Sequence, residues 1–593
     1  MSTPTLPEQD PFPIIRSKQL ESRRSERAYD YTRPDGIACL KDLPASEKPG
    51  ASYIARIADS DKRVSRHASK RRVEAYAEDD HEPFEVAGFA ALNFADSVKA
   101  FWDAAVHAAA TNPKRPASSM EELAALTDGL EDVPLLDRLR AAPERWNELF
   151  ARQRLAGPNP LQLEQLRERR LPDHFPFTED HFARAYAALT TKGAGADSLA
   201  RAIAEGRLFV SDCKVLDGVA TTSNEGRQKY QAAPIGLFVR PLDGSAPLLP
   251  LGIQCAQRPS AEAPMFTPAD GWRWRIAQAF LSLAEGSIHE AGEHLGLTHL
   301  VMEAYALASA RCLAPAHPVT ALLTPHFKGT HFINATARNS LIGDFGTLDQ
   351  IMPQPIEATR GLCARFVSTF RIDQADPATR LRARGLLDAD ALPEAPYRED
   401  ALPHWDAMLA WVTDYLRLYY VDDAAVAGDV EVQSFVRELG ARDGARLAGV
   451  PEVRTVDALA RLLCVATFTG SVQHAAVNFP QYPFMGWVAC IPAALYAPPP
   501  TLATPDTEAS LLAAMPPLDC AALQMYSVFQ LSAIRDDALA KYPPFDDARV
   551  EGPLAAYRAR LDALESAIAA REATRALPYP YLLPSLVPAS III

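Results

Sequence analysis

Residues 270–327 read DGWRWRIAQAFLSLAEGSIHEAGEHLGLTHLVMEAYALASARCLAPAHPVTALLTPHF and carry the strongest fold signal in the chain. No proline occurs between Trp272 and Leu313, and most residues there are good helix formers. We therefore predict one long helix, or two joined helices, deep in the fold. Six of the 13 histidines lie between His289 and His331, so this region is also the first candidate for a functional site.

Two histidines of this region, His289 and His294, lie five positions apart in the run HEAGEH. On a regular α-helix this spacing separates two side chains by about 140°, so the pair binds one ion only if the helix is widened. The HExxH motif of zinc proteases needs a spacing of four and does not fit. A π-type turn, with i→i+5 hydrogen bonds, would bring both imidazoles to one face. The alternative of two unrelated histidines, one buried and one exposed, stays open.

A second fragment, SVQHAAVNF at 471–479, places His474 and Asn478 four positions apart on one helix face. Imidazole is a natural ligand of iron, zinc and copper. A neutral carboxamide oxygen is a weak ligand. The alternative is a buried histidine and asparagine that hydrogen-bond to backbone carbonyls.

The bulk composition narrows the class of protein. The 593 residues include 74 acidic and 60 basic side chains and carry a net charge of -14, which argues against a nucleic-acid-binding protein. The eight cysteines are scattered without CxxC spacing, so we expect buried thiols rather than a zinc ribbon or disulfides. The start, MSTPTLPEQDPFPII, lacks the features of a secretory signal, and we expect a cytoplasmic protein.

Other segments indicate a mainly α architecture with a small β-sheet region. Apolar runs alternate with Asp-Gly turns near 208–256, which predicts strands. The stretch between Arg461 and Asp506 contains no charged residue, and its Gln, His, Asn and Pro content favours a buried helix and a Pro-rich loop over a membrane span. Residues 1–28 are polar and are predicted to form a flexible arm.

Several ordered fragments resemble the lipoxygenase family. They are HEAGEHLGLTH at 289–299, LLTPHFKGTHFINATARNSLI at 322–342, QHAAVNFPQY at 473–482 and YPYLLPSLVPASIII at 579–593. Weaker similarity occurs in WNELFARQRLAGPNP at 146–160 and PMFTPADGWRW at 264–274. The resemblance implies a large single helical catalytic domain over 29–593, with long central metal-binding helices. An N-terminal β-sandwich like that of plant and animal members is not evident.

The resemblance also implies roles for individual residues. The expected metal ligands are His289, His294, His474, Asn478 and, through its terminal carboxylate, Ile593. Gln481 and Glu285 are expected behind these ligands, and the substrate and oxygen channel is expected to include Phe332, Thr336, Ile342 and Leu531. His299 matches a family histidine that is not a ligand, and His326 and Arg338 are interpreted as structural.

The implied chemistry is dioxygenation of a polyunsaturated fatty acid with a 1,4-pentadiene unit. One non-haem iron per chain, with manganese less favoured, would abstract hydrogen as an iron(III)-hydroxide, and O2 would add to the resulting radical. The expected partners are the fatty acid, O2 and, transiently, a membrane that provides the lipid, and no nucleic acid is expected. Two alternatives stay open: a hydroperoxide isomerase or epoxyalcohol synthase on the same fold, and a lipid-binding protein without turnover.

Four positions depart from the family pattern. Phe332 stands where Ala or Gly is usual, Thr336 where a leucine is common, Glu285 where a glutamine often occurs, and Pro480 where Gly is usual. None of these changes removes an expected ligand. They leave the position and chirality of oxygenation open.

Overall fold

The computed structural model describes residues 4–48, 50–78, 104–141, 145–190, 193–195, 197–535, 538–539, 541–542 and 545–593. Within these ranges the fold is mainly α, as predicted. The eight α-helices described before residue 270 are α1 (Pro13–Glu26), α2 (Ala51–Glu78), α3 (Ala104–Ala109), α4 (Met120–Ala124), α5 (Pro134–Ala141), α6 (Trp146–Ala156), α7 (Glu179–Leu189) and α8 (Leu199–Ala204).

The N-terminal segment is not simply solvated where it is described. Helix α1 packs on the central part of the fold, and its Arg16 side chain is 5% exposed. The Arg16 guanidinium donates to Glu431 and, at 2.8 Å, to Asp10. A buried cation needs such partners, so this ion pair fixes α1 to the body of the protein. The boundary at residues 28 and 29 itself stays a prediction.

Nine short strands are present in the described residues: β1 (Tyr29–Thr32), β2 (Asp35–Leu40), β3 (Glu164–Gln165), β4 (Leu208–Asp212), β5 (Ser223–Asn224), β6 (Arg227–Gln228), β7 (Ile235–Val239), β8 (Leu249–Gln254) and β9 (Met265–Phe266). The largest sheet is antiparallel, in the order β3-β4-β7-β8-β9. The strand region predicted near 208–256 is therefore confirmed. One face of this sheet packs on α7 and α8 in a small separate core.

The centre of the fold is one continuous helical column. It consists of α9 (Gly271–Ile288), the π-helix π1 (His289–Leu300) and α10 (Val301–Cys312). Every residue from Ile276 to Ala310 is buried. The predicted buried long helix is present, and the π-type widening that the pairing of His289 and His294 requires occurs at the HEAGEH run. Packing on all sides explains why a column with so few exposed polar residues is stable.

The described helices after the column are α11 (Pro318–Phe327), α12 (Thr330–Ser340), α13 (Thr347–Ile351), α14 (Ile356–Thr369), α15 (Pro377–Ala383), α16 (Pro396–Leu416), α17 (Asp423–Gly428), α18 (Val430–Gly440), α19 (Val456–Phe468), π2 (Thr469–Gln473), α20 (His474–Asn478), α21 (Gln481–Met485), α22 (Glu508–Ala514), α23 (Leu518–Ala533) and α24 (Glu551–Glu572). The uncharged stretch forms α19, π2 and α20 inside the protein, as predicted. In the described part of the chain, no helix is both long and apolar enough to span a membrane.

The two π-helical segments face each other across the core, and helix α14 packs along π1. Close packing here depends on Gly292, because a Cβ atom at that position would lie 2.7 Å from the Phe366 ring of α14. All eight cysteines are buried free thiols, as the sequence predicts. The fold thus brings the HEAGEH run and the HAAVN run to adjacent positions in the buried interior.

Candidate metal centre

Three imidazole rings meet between π1 and α20. The potential ligand nitrogens of His294, His299 and His474 all lie within 4.8 Å of one another. The Nε2 atom of His299 is 3.2 Å from the Nε2 atoms of both His294 and His474. These three residues are at most 5% exposed. A group of buried imidazoles this close together has the composition and compactness of a transition-metal site.

The protonation of His299 follows from its hydrogen bonds. Asn334 donates through Nδ2 to the carbonyl of His299 at 2.8 Å and to Glu303 at 2.9 Å, so its Oδ1 atom is the acceptor. That oxygen lies 2.9 Å from His299 Nδ1, which therefore carries the proton. The Nε2 atom of His299 is left with a lone pair directed at the two neighbouring imidazoles.

Burial keeps these rings neutral. It lowers the pKa of His299 to about 3, with His294 adding to the effect. Burial likewise lowers the pKa of His294 and holds that of His474 well below its usual range, against a backbone hydrogen bond to Ile593. Neutral imidazole is the form that binds metals, so the cluster needs no deprotonation at neutral pH.

A buried carboxylate, Glu290, accompanies the cluster. Its oxygens lie 3.5 Å from Nδ1 of His289 and 3.5 Å from Nδ1 of His294. Burial by itself would raise the pKa of Glu290, but the two imidazoles outweigh it and the pKa falls to about 2. Glu290 thus places a buried carboxylate beside the imidazoles, and a negative charge there favours the presence of a cation.

His289 lies beside the three rings but outside the close group. Its ring stacks on that of His294, with centroids 5.6 Å apart and planes at 16°. Both residues are buried, so the alternative of one buried and one exposed histidine is wrong. Nε2 of His289 is 2.8 Å from the carbonyl oxygen of Val477, and its Nδ1 has no hydrogen-bond partner among the described residues.

The other expected ligands border the same centre. Asn478 is fully buried, and Gln481 donates through Nε2 to its Oδ1 at 2.8 Å and to its carbonyl at 3.0 Å. The Asn478 Nδ2 and Gln481 Oε1 atoms have no partner in the described part of the chain. Ile593 lies against His474, with which its backbone forms a hydrogen bond. Three of the five expected ligands therefore come from α20 and the last residue described.

A cavity of about 210 Å³ opens beside the histidines. Among the expected channel residues, Thr336 and Leu531 line it, together with Ile593. Phe332 and Ile342 are not among its described lining residues. Phe332 lines a different cavity and packs edge-on against Tyr53, with ring centroids 5.9 Å apart. The helix α12 turns Phe332 away because Ile333 and Thr336 occupy the face toward the histidines.

Glu285 also has a different environment from the one expected. It is buried against Arg154, at 2.6 Å, and accepts from the Ser211 hydroxyl at 2.7 Å. The guanidinium of Arg154 is 1% exposed, so it requires a carboxylate partner. Glu285 therefore faces α6 and β4 rather than the cavity. Burial raises its pKa in spite of this partner.

Two residues at the centre were not singled out from the sequence. Asn334 orients His299, and Glu290 supplies the buried charge. The spacing of Asn334 and Arg338, one helical turn apart in INATAR, could have indicated that the two residues share a partner. In the structure both contact Glu303 of α10. Glu290 had no such signal, since a glutamate next to a histidine in a helix is ordinarily exposed.

The donor set fits a bound metal ion. His299 Nε2 and His289 Nδ1 carry lone pairs, and the neighbouring imidazoles offer too few protons to satisfy them all. A cation held between these rings would accept lone pairs from imidazoles of the group and balance the charge of Glu290. Imidazole and amide ligands suit iron, and the apolar cavity next to them would admit an apolar substrate.

Comparison with known proteins gives a consistent result. A model of the lipoxygenase family matches residues 132–534. The chain is 37% identical over 467 residues to the linoleate 9/13-lipoxygenase of Pseudomonas aeruginosa, covering 75% of this chain and 66% of that protein. It is 32% identical over 458 residues to the human hydroperoxide isomerase ALOXE3, covering 76% of this chain and 62% of that protein.

Solved structures agree over the whole chain. An anaerobic crystal structure of a lipoxygenase in complex with arachidonate has a TM-score of 0.82 and 26% identity, and the match covers 100% of this chain and 84% of that one. The alignments with the two curated relatives span just under two thirds of their own lengths.

Proposed function

This chain belongs to the lipoxygenase family, and from that premise we propose that it converts a polyunsaturated fatty acid and O2 into a hydroperoxide. The observation that carries the proposal is the group of buried neutral imidazoles open to an apolar cavity. The substrate would contain a 1,4-pentadiene unit, whose central CH2 loses hydrogen most easily. All atoms of O2 and of the fatty acid are retained in the product, so no further reductant is required.

We propose that one iron ion is held by His289, His294, His474, Asn478 and the backbone carboxylate of Ile593. When bound, iron supplies the one-electron redox chemistry that a lone side chain cannot provide. The π-helical turn supports the pairing of His289 with His294, because it stacks their rings. For His289 to bind, its hydrogen bond to Val477 must rearrange or Nδ1 must be the ligand atom.

The remaining residues would orient the ligands and exclude water. Gln481 orients the side-chain amide of Asn478 by donating to its Oδ1 atom and, in addition, to the Asn478 backbone carbonyl, which supports a weak and adjustable ligand. Leu531, Leu295 and Ile333 give the cavity an apolar lining that would hold the fatty-acid chain. Because water would be displaced from such a lining, a radical formed there would be protected from side reactions.

The test is direct. We expect purified protein to contain about one iron per chain and to produce conjugated diene from linoleate with consumption of O2. Iron-free protein prepared with a chelator should be inactive and should recover activity with iron rather than zinc. Stoichiometric zinc in the purified protein, or no O2 uptake by iron-loaded protein, would contradict the proposal.

A second activity at the same centre is favoured by the similarity to ALOXE3, whose name records hydroperoxide isomerisation. A parallel assay with the same iron-loaded protein separates dioxygenation from hydroperoxide isomerisation. Adding a fatty-acid hydroperoxide without free fatty acid should leave the hydroperoxide largely intact if dioxygenation is the main reaction. Rapid loss of the hydroperoxide with formation of epoxy alcohol would assign the isomerase activity instead.

We also propose that the start of α1 makes transient contact with a lipid surface. Phe12, Ile14 and Ile15 are large apolar side chains within four residues of one another, and they are 63%, 73% and 55% exposed. Such side chains are the usual means of shallow insertion into a bilayer. Replacing all three with serine should reduce co-sedimentation with neutral phosphatidylcholine vesicles, while a triple change at the exposed Leu242, Val421 and Leu502 should not. Equal sedimentation of both variants would refute this contact.

A further inference from the structure

A third cavity, with the exposed residues Glu121 and Glu508 in its lining, lies between α6, α9 and the segment around residue 487. It is larger than the one beside the histidines. Its volume is about 320 Å³, within the range of small-molecule sites. Three tryptophans line it: Trp146, Trp272 and Trp487. In the described part of the chain it shares no lining residue with the histidine cavity. It therefore needs an explanation of its own.

The cavity contains a guanidinium without a counter-ion. Arg275 of α9, which is partly exposed, lines it, and no carboxylate oxygen of the described residues lies within 4.0 Å of its nitrogens. Its contact is instead with the face of Trp146, at 4.0 Å from the ring centroid. Burial lowers the pKa of Arg275 to about 9, so the charge persists at neutral pH. A charge in this position is stabilised by an anion that enters the cavity.

Two further polar groups of the lining are unpartnered. The indole Nε1–H of Trp487 has no acceptor among the described residues, although this side chain is only 4% exposed. Gln278 is 2% exposed, donates to Asn147 at 3.0 Å and has no donor for its Oε1. Trp487 packs against Trp146, with centroids 5.0 Å apart, so its indole adjoins the Arg275 stack. Buried polar atoms in native proteins are almost always hydrogen-bonded, so these groups indicate a ligand.

The charge balance of the lining restricts the kind of anion. Arg140 also lines the cavity but is engaged by Asp128 at 2.6 Å, and the exposed residues Glu121 and Glu508 belong to the same lining. A dianion such as phosphate would have only one of its two charges balanced by the unpaired guanidinium, and the two acidic residues would repel it more strongly than they repel a monoanion. A monoanion with a large apolar body matches one guanidinium in an aromatic and aliphatic surrounding.

We propose that this cavity is a second, non-catalytic binding site for an alkyl carboxylate. The carboxylate accepts hydrogen bonds from the Arg275 guanidinium and the Trp487 indole N–H, and the alkyl chain packs against Trp146 and Leu149. Gln278 Oε1 accepts from a water molecule or from a hydroxyl on the chain. The site does not depend on the proposed oxygenation, because its ligand neither reaches the histidines nor reacts.

Sodium decanoate is a suitable probe because it is saturated and therefore has no pentadiene to oxidise. Three of the seven tryptophans line the cavity, so binding is followed by tryptophan fluorescence. We expect saturable binding to the wild-type protein and a Kd at least about tenfold higher for Arg275→Gln, the value of a charge-assisted hydrogen bond. Arg273→Gln is the matched control, because Arg273 lies on the same helix and donates outside the cavity to Leu502.

Further titrations test where decanoate binds and whether its carboxylate is needed for binding. Methyl decanoate, which lacks the charge, should bind about tenfold more weakly, and Trp487→Phe should weaken decanoate binding while keeping the aromatic wall. Ala337→Phe, which fills the histidine cavity, should leave the titration unchanged. The proposal is overturned if Arg275→Gln binds like wild type or if Ala337→Phe abolishes the signal. If Arg275→Gln does not fold, Arg275→Lys replaces it in the titration. This variant keeps the positive charge but loses the guanidinium geometry, so it should bind decanoate more weakly than wild type, and equal binding would overturn the proposal.

Discussion

Four imidazoles, those of His289, His294, His299 and His474, surround the proposed metal position. The proposed ligand set uses only three of them and leaves out His299. We expect His289→Ala to lose iron and activity, because it removes a ligand. His299→Ala should retain most of the iron, because His299 would only orient its neighbours through Nε2. Metal analysis of both purified variants, with His294→Ala as the reference for full loss, makes the comparison.

The opposite pattern has a definite meaning. If His299→Ala loses the iron and His289→Ala keeps it, then the close group of His294, His299 and His474 is the ligand set and the family-based assignment is wrong. Spacing alone could not decide between the two, because both histidines lie five positions from His294; the sequence favoured His289 only through the family resemblance. Their choice depends on Asn334 and Val477, which come from other elements.

Some contacts of the expected site residues could be predicted from the sequence, and others could not. Gln481 and Asn478 are three positions apart on one helical turn, so their contact could be predicted from spacing. The direction of Phe332 could not, because its partner Tyr53 lies far away in the chain. The same applies to Glu285, whose position is decided by the buried charge of Arg154. Contacts between distant segments require the fold.

Buried histidines away from the centre predict how stability depends on pH. His404 is fully buried, donates to the carbonyl of Leu582 at 2.7 Å, and has its pKa lowered by burial to about 4. The unfolded chain, with a histidine pKa near 6.5, takes up the proton first as the pH falls. The contribution of His404 to the free energy of unfolding is therefore complete above pH 6.5 and is lost between pH 6.5 and 4.

The expected size is measurable. Between pH 7 and pH 5 this one histidine should remove roughly 2 kcal/mol from the free energy of unfolding. In His404→Gln the fall over that interval should be smaller by about this amount, as measured by urea denaturation at the two pH values. His174→Gln, at an exposed position, should leave the fall unchanged. Parallel curves for His404→Gln and wild type would contradict the argument.

At the scale of secondary-structure elements, the decisive feature is the close packing of π1 on α14. A Cβ atom at Gly292 would meet the ring of Phe366 at 2.7 Å, so any larger side chain forces the two elements apart. We expect Gly292→Ala to lower the free energy of unfolding by about 1–3 kcal/mol, the usual cost of overpacking. Because π1 carries His289 and His294, iron content should fall as well. Thermal unfolding and metal analysis measure the two effects.

A matched substitution on the partner helix separates packing from helix propensity. Gly361 on α14 is exposed, and a Cβ atom there would have no neighbour within 4 Å. Gly361→Ala should therefore stabilise the protein by about 0.5–1 kcal/mol, since alanine is the better helix former. If both alanine variants are stabilised, Phe366 moves aside freely and the packing does not fix the position of π1.

Elements were predictable to different degrees. The column at 271–312 was predictable because a long proline-free stretch of helix formers contains two histidines whose shared face requires a widened turn. The second π-helix, at Thr469–Gln473, was not predicted, because no ligand pair spans it. The packing of α1 on the body of the protein was not predicted either, for a different reason. Its ion pair joins Arg16 to Glu431, and composition alone does not report such distant pairs.

At the scale of the whole molecule, the mainly α fold could be predicted because the motifs that carry it are spread from residue 146 to residue 593. The cavities could not, because each is formed where several distant elements meet. The histidine cavity takes residues from α3, π1, α12, α23 and the C-terminal segment. Its depth and shape therefore depend on the packing of the entire fold, and so does the position at which a substrate would stop.

The C-terminal segment gives the sharpest prediction at this scale. Residues Ile591, Ile592 and Ile593 are buried at 0%, 1% and 9% exposure, and Ile593 lines the histidine cavity. Ile592 is held from outside by the hydroxyl of Tyr53. Residues added after Ile593 would have to occupy the cavity or displace this segment, and they would replace the proposed carboxylate ligand with a peptide bond.

We therefore expect a C-terminal hexahistidine tag to abolish activity and to lower the iron content measured after removal of metal bound by the tag. The same tag at the N-terminus should be tolerated, because no described residue before Ala105 lines the histidine cavity. A protein with the C-terminal tag that is fully active and contains one iron per chain would show that the backbone of Ile593 is not a ligand.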